Sequence, residues 1–159
     1  MPRSEKVKKR ILPPDPVYNS QLITRLINRV MRSGKKTVAQ EHVYQAFELV
    51  KKKTKKEPLE IFTQALENIK PSMEVRPRRV GGAAYQVPIP VRGGRRETLA
   101  IRWLIQAAQA RPNKEYYIFS QKLAAEILDA VEREGGAVKK KENIHRMAEA
   151  NRAFAHFRW

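Results

Sequence analysis

Residues 70–99 read KPSMEVRPRRVGGAAYQVPIPVRGGRRETL, from Lys70 to Leu99. Met73, Val75, Pro77 and Arg79 alternate with Glu74, Arg76 and Arg78. Beyond Val80-Gly81-Gly82-Ala83, the residues Tyr85, Val87, Ile89 and Val91 alternate with Gln86, Pro88 and Pro90. Two period-two runs about a Gly-Gly pair predict a β-hairpin. The glycines supply the positive φ that a tight hairpin turn requires. Pro77, Pro88 and Pro90 cannot donate to a ladder, so neither strand belongs inside a larger sheet. A lone hairpin is marginally stable in water, and this one carries Arg76, Arg78, Arg79, Arg92, Arg95 and Arg96. The expectation is an arm, spanning residues 72–92, that projects from a helical body and is steadied by a polyanion.

The body is read outward from the arm. On the N-terminal side, Leu22, Ile23, Leu26, Ile27, Val30 and Met31 recur at helical spacing before Gly34. A second helix starts near Thr37 and buries Ala39, Val43, Ala46, Phe47 and Val50. A third has Pro58 in its first turn and ends before Pro71. On the C-terminal side, Thr98–Ala110 is apolar nearly all round, which predicts a buried central helix. Its one polar stripe is Arg102, Gln106 and Gln109. After Pro112, Asn113-Lys114 lead into a fifth helix that buries Leu123, Ala124, Ile127, Leu128 and Val131. Tyr116, Tyr117, Ile118 and Phe119 form an apolar knot at its start, read as core packing. Gly135-Gly136 stop that helix, and a last one opens near Val138. The fold class is mainly α: one domain over residues 1–159, a bundle of about six helices with the hairpin between the third and fourth. A basic arm, 1–16, and a tail, 148–159, extend from it.

Lysine and arginine number 33 against 16 acids, a net charge of +17. Self-repulsion of that size calls for a polyanionic partner. No apolar run is long enough to span a bilayer, so no membrane is expected. Cysteine is absent, which excludes a disulfide framework, a thiol nucleophile and a zinc ribbon. There is no Walker loop or G-x-G-x-x-G, and His42, His145 and His156 lack metal-ligand spacing. His42 is read as a packed core-edge histidine. The acids interleave with lysines on helix faces, where i,i+4 pairing accounts for them. Neither an enzyme nor a cofactor is expected, and no obligate homo-oligomer.

Helix polarity sorts the lysines. Lys51, Lys52 and Lys53 end a helix, where the macrodipole favours cations. Lys35-Lys36 and Lys139-Lys140-Lys141 start helices, where it opposes them by roughly 0.3–1 kcal/mol each. A helix start presents free N–H groups to an anion, so both clusters are read as phosphate seats. The arm 1–16 carries Arg3, Lys6, Lys8, Lys9 and Arg10 without apolar periodicity, and is read as ordered only by a partner. The ending Asn151–Trp159 mixes aromatics with cations, suited to stacking plus phosphate contact. Alternatively, Phe154 and Trp159 fold back on the body.

The run Met73–Pro88, the motifs LAIRWL at 99–104 and GAVKKKE at 136–142, and the ending MAEANRAFAHFRW at 147–159 resemble bacterial small-subunit ribosomal protein seven. Asp15-Pro-Val-Tyr and Gly34-Lys-Lys-Thr match it too, and the likeness covers essentially the whole chain. The resemblance implies a primary binder of 16S rRNA that nucleates assembly of the head. It implies a place at the subunit interface near the exit site, in contact with exit-site tRNA and mRNA, beside small-subunit proteins nine and eleven. The location is a cytoplasmic ribosome, an organellar one being compatible too. Carried over, Arg3 to Arg10, Lys35, Lys36, Arg76, Arg78, Arg79, Arg95, Arg96 and Arg102 become rRNA contacts. Arg92, Arg111, Lys114, Lys139, Lys140 and Lys141 complete that candidate set. Val80, Gly81, Gly82, Ala83, Ala84 and Tyr85 face tRNA and mRNA, as do Arg152, His156, Arg158 and Trp159. Ala84 stands where the family usually has asparagine, which leaves the turn register open, and Tyr116–Phe119 replaces a more polar helix start. The runner-up is an architectural DNA-binding protein, a class that also uses basic hairpin arms. An RNA-modifying enzyme is third.

Overall fold

The computed structural model describes residues 12–158. Arg3, Lys6, Lys8, Lys9, Arg10 and Trp159 therefore lie outside the described residues. Six α-helices form in the expected order: α1 Gln21–Val30, α2 Lys36–Thr54, α3 Pro58–Ile69, α4 Gly94–Ala110, α5 Phe119–Val131 and α6 Gly135–Ala150. Strands β1 Met73–Val80 and β2 Ala83–Pro90 lie between α3 and α4, and a short 3-10 helix, Arg152–Phe157, follows α6.

The apolar periodicities become the core. α2 buries Ala39, Val43, Ala46, Phe47 and Val50, and α4 buries both sides of its axis, leaving Arg102, Gln106 and Gln109 exposed. α5 packs against α2, α3 and α4, and α6 closes over α4 and α5. Phe47 and Phe62 meet at 5.5 Å between ring centroids, and Tyr18 sits edge-on to Phe47 at 5.3 Å. Complete burial of side chains such as Phe47, Phe62, Leu104 and Leu123 stabilises by about 1.5–3 kcal/mol each.

Three boundaries differ from the sequence reading. α4 begins at Gly94 rather than Thr98. Arginines in a first turn oppose the macrodipole, but here Glu97 joins them, Arg95 Nε donates to Glu74 at 2.7 Å, and Arg96 Nε donates to the Pro71 carbonyl at 3.1 Å. α5 begins only at Phe119, and of the apolar knot before it Tyr117 is 84% exposed and Ile118 is 47% exposed. Core packing thus applies to Phe119, which packs edge-on against His42, and not to Tyr117. α6 begins at Gly135 rather than Val138, so the paired glycines open a helix instead of only ending one.

The arm 1–16 is corrected at its end. Asp15 is 3% exposed and accepts the Tyr44 hydroxyl at 2.8 Å and the backbone N–H groups of Val17 and Tyr18 at 3.2 Å. Thr24 Oγ1 donates to the Pro13 carbonyl at 3.0 Å. Burial and the hydrogen bond to Asp15 push the Tyr44 phenol up to about 12, keeping it a donor at neutral pH. Residues 13–15 are thus tied to α1 and α2 without a partner, by one carboxylate that no periodicity marks.

In the hairpin, Met73 pairs with Pro90, Arg78 with Tyr85 and Val80 with Ala83. Gly81 and Gly82 take φ of +57° and +88°, the left-handed pair whose twist matches flanking strands. Ala84 lies in the ladder opposite Arg79, so the turn asks no left-handed geometry of it.

Candidate nucleic-acid interface

Charge on the arm divides at its base. Glu74 is 7% exposed and accepts from Arg76 at 2.6 Å and from Arg95 at 2.7 Å, joining β1 to the first turn of α4. A buried carboxylate between two guanidiniums fixes both in place, and their side chains remain about half exposed. Arg78, Arg79 and Arg92 are exposed and form no ion pair among the described residues. Arg96 is exposed in the first turn of α4, and Arg102 lies on the exposed stripe of the same helix. Among the described residues, the one ion-pair link between the arginines of α4 and those of the arm is the Arg95–Glu74–Arg76 bridge.

The arm is not steadied by a partner alone. The Tyr85 ring lies 5.1 Å from Phe154 and 5.4 Å from Phe157, both in the 3-10 helix. The Ser72 N–H donates to His145 Nε2 of α6 at 3.1 Å, and Val87 and Pro88 are buried. The tail therefore folds onto the arm rather than onto the helical core. Tyr85, a candidate tRNA-facing residue, is half-buried in this clasp. Gly81, Gly82, Ala83 and Ala84 beyond it are exposed, and Val80 is half-buried. Arg152, His156 and Arg158 are exposed around the clasp, and Arg152 and Arg158 line a hollow with Met73 and Pro88.

The two helix starts differ. α2 has no side-chain cap, and Lys35 and Lys36 are exposed there; the Lys36 N–H donates to the Gly34 carbonyl at 2.9 Å, which leaves the N–H groups of Thr37 and Val38 for an anion. The start of α6 is occupied. Glu126, 1% exposed, accepts the Ala137 N–H at 2.9 Å with one oxygen and Arg111 Nε at 2.8 Å with the other. Lys139 and Lys140 are exposed, whereas Lys141 is half-buried and donates to the Asn68 carbonyl at 2.7 Å. The start of α6 thus already holds the protein's own carboxylate, whereas no side chain holds that of α2.

Arg111 is likewise turned inward, with its side chain 16% exposed and paired to Glu126 and Asp129. Burial alone would lower its pKa, but the hydrogen bonds to Asp129 and Glu126 outweigh that and hold it raised. Lys114 is exposed in the α4–α5 connection. Sequence reasoning missed Glu126, whose partners are distant in the chain. It also missed Arg32, an exposed cation in the α1–α2 connection beside Lys35, which the run Arg-Ser-Gly-Lys-Lys could have marked.

These surfaces can hold phosphates through arginine forks and a helix start. Among the described residues no three His, Asp or Glu side chains are placed to hold a metal ion, and no helix is long and apolar enough to cross a membrane.

Residues 2–152 match the family model described as ribosomal protein S7p/S5e. The small ribosomal subunit protein uS7 of Caldicellulosiruptor saccharolyticus is 58% identical over 159 residues, the whole of both chains. That of Thermotoga maritima is 57% identical over 157 residues, 99% of each chain, and that of Carboxydothermus hydrogenoformans 54% identical over 159 residues, again the whole of both.

Proposed function

Because the chain belongs to the ribosomal protein S7p/S5e family, a structural and non-enzymatic constituent of the small ribosomal subunit that associates with rRNA, we propose that it is a primary binder of 16S rRNA whose docking nucleates the head. The observation that carries this reading is the run of exposed arginines from Arg102 through Arg96, Arg95 and Arg92 to Arg78 and Arg79. It is anchored where the buried Glu74 carboxylate joins Arg76 to Arg95. Such a set presents forked donors to a phosphate backbone. Lys35 and Lys36 at the open start of α2 extend it. Lys114, Lys139 and Lys140 add exposed charge; Arg111 and Lys141 shape the body that carries them.

In this reading the tip from Val80 to Ala84 lies near exit-site tRNA and mRNA at the subunit interface. The clasp residues Arg152, His156 and Arg158 form the neighbouring edge, and small-subunit proteins nine and eleven are the protein neighbours. Residues 1–159 act as one domain.

A filter-binding titration with the head domain of 16S rRNA tests the proposal. Cations that neutralise phosphates release counterions, so about six contacts give a log–log salt slope of roughly −4 to −5, between the single-strand and duplex coefficients. A flat salt dependence, or equal affinity for duplex DNA at fixed salt, contradicts it.

A further inference from the structure

We propose that the cleft between the α1–α2 and α4–α5 connections receives one unstacked base of the rRNA, stacked on Tyr117, with its backbone phosphate held by Arg32 and Lys35. This rests on the rRNA-binding reading above and assigns a site within it. The cleft has a volume of about 500 Å³, within the range of ligand pockets. Its lining is apolar where Val38, Ala39 and Phe119 contribute, cationic where Arg32 and Lys35 do, and includes no acidic residue.

Three observations select a base as the occupant. First, Tyr117 is 84% exposed and Val38 46% exposed, and both line the cleft from different elements. A large ring left in water at the edge of a cationic cleft is the platform on which single-stranded RNA bases stack. Second, His42 lines the same cleft, and its Nδ1 is buried without a hydrogen-bond partner. Buried polar atoms are nearly always paired; a turn of the His42 ring that brings this nitrogen to the cleft would let the donors and acceptors of a base edge pair it. The exposed Gln109 amide offers a second such pairing. Third, the cleft lies beside the uncapped start of α2 at Lys35 and Lys36, so a nucleotide whose base enters the cleft brings its phosphate toward free N–H groups and cations.

The test uses the full chain and the transcribed head domain of 16S rRNA, comparing Tyr117→Ala and Tyr117→Phe with the wild type. Stacking of one base supports a loss of roughly 5- to 150-fold on truncation to alanine. That loss should leave the salt slope unchanged, because a ring releases no counterion, and Tyr117→Phe should restore affinity. Thermal stability should not change, since the side chain is largely in water. Affinity of Tyr117→Ala within twofold of wild type overturns the proposal, as does a loss accompanied by a shallower slope. Unchanged rRNA affinity with impaired entry into subunits assembled from all proteins assigns the cleft to a protein neighbour and also overturns it. Failure of the wild type to bind the transcript refutes the rRNA reading itself, which separates the two failures.

Discussion

The Glu126 carboxylate accepts the Ala137 N–H at 2.9 Å, so the negative charge at the start of α6 is built into the protein. At the start of α2 no side chain takes that place. Two lysine clusters that look alike in the sequence are thereby separated by one buried acid on a different helix.

The first consequence concerns rRNA affinity. Lys35→Ala with Lys36→Ala should weaken binding to the head domain and reduce the salt slope by about 2, since each phosphate contact contributes close to one unit. The fold should be unaffected or slightly more stable, because the macrodipole opposes cations there. Alanine at Lys51, Lys52 and Lys53 should cost little affinity. Alanine at Lys139 and Lys140 should fall between, acting through exposed charge alone. A control that weakens binding more than the α2 pair would show that helix polarity does not sort these lysines.

The second concerns stability. Glu126→Ala leaves the Ala137 N–H without its acceptor and Arg111 with Asp129 alone; an unsatisfied buried donor costs about 1–3 kcal/mol, and the weakened ion pair adds to that. Glu126→Gln keeps an acceptor oxygen and should cost less. Gly135→Ala is strained twice: its φ is +88°, and an added Cβ would lie 2.9 Å from Glu126 Oε1. Combined with Glu126→Ala, the contact with Glu126 disappears while the 3.2 Å approach to the Asp129 Cβ and the backbone strain stay, so the two effects should be less than additive in a denaturation cycle. Full additivity would mean that the Cβ contact does not matter.

These residues mark where the sequence was legible and where it was not. The burial set of α2, the polar stripe Arg102-Gln106-Gln109 and the Gly81-Gly82 turn follow from local periodicity and turn chemistry, and each is found as read. Glu126 resembles any helix-face acid in the chain; only tertiary packing, which brings Arg111 and the start of α6 to it, reveals its role. Asp15 is similar, anchoring a proline-rich segment through Tyr44. The Tyr85 clasp depends on aromatic residues at opposite ends of the C-terminal half. Core packing of the knot Tyr116–Phe119 holds for Phe119 but not for Tyr117 and Ile118, because the chain turns there before α5 begins and leaves those two outside.

The third prediction is a pH dependence at the hairpin base. His145 Nε2 accepts the Ser72 N–H at 3.1 Å, which requires the ring nitrogen to be unprotonated. Burial, with the nearby Lys141 charge, lowers the His145 pKa below its ordinary value near 6.5. A folded-state pKa lowered below the unfolded value means the contribution is fully present above pH 6.5 and is lost as pH falls through the folded pKa. The protection factor of the Ser72 amide, measured by hydrogen exchange, should therefore drop in that acidic window. His145→Gln, which retains an acceptor but does not titrate, should remove the drop. Protection that stays constant in the wild type down to pH 4 would contradict the hydrogen bond's role.

The last prediction divides the arm by function at Tyr85. Below that point the arm is held by the protein: Arg78 pairs with Tyr85 in the ladder, and Tyr85 rests on Phe154 and Phe157. Above it, residues 79–84 make no such packing, and a strand of six residues already reaches roughly 20 Å. Replacing Arg79–Ala84 with Asn-Gly puts the Arg78–Tyr85 pair directly beneath a two-residue turn, so the ladder and the clasp both survive. The shortened protein should keep its thermal midpoint and enter small subunits. The change should be read instead in the dissociation of exit-site tRNA or in reading-frame maintenance. Arg95→Ala with Arg96→Ala should do the reverse, weakening rRNA binding first, because it removes two base arginines and leaves Glu74 with only Arg76. Tyr85→Ala should fall between: loss of the aromatic contacts costs about 0.5–1.5 kcal/mol for each pair beyond the buried area, loosening the arm without removing its tip. Measuring subunit entry and exit-site tRNA dissociation for all three variants decides the matter. A shortened protein that fails to enter subunits, or that enters and leaves tRNA dissociation and frame unchanged, defeats the division.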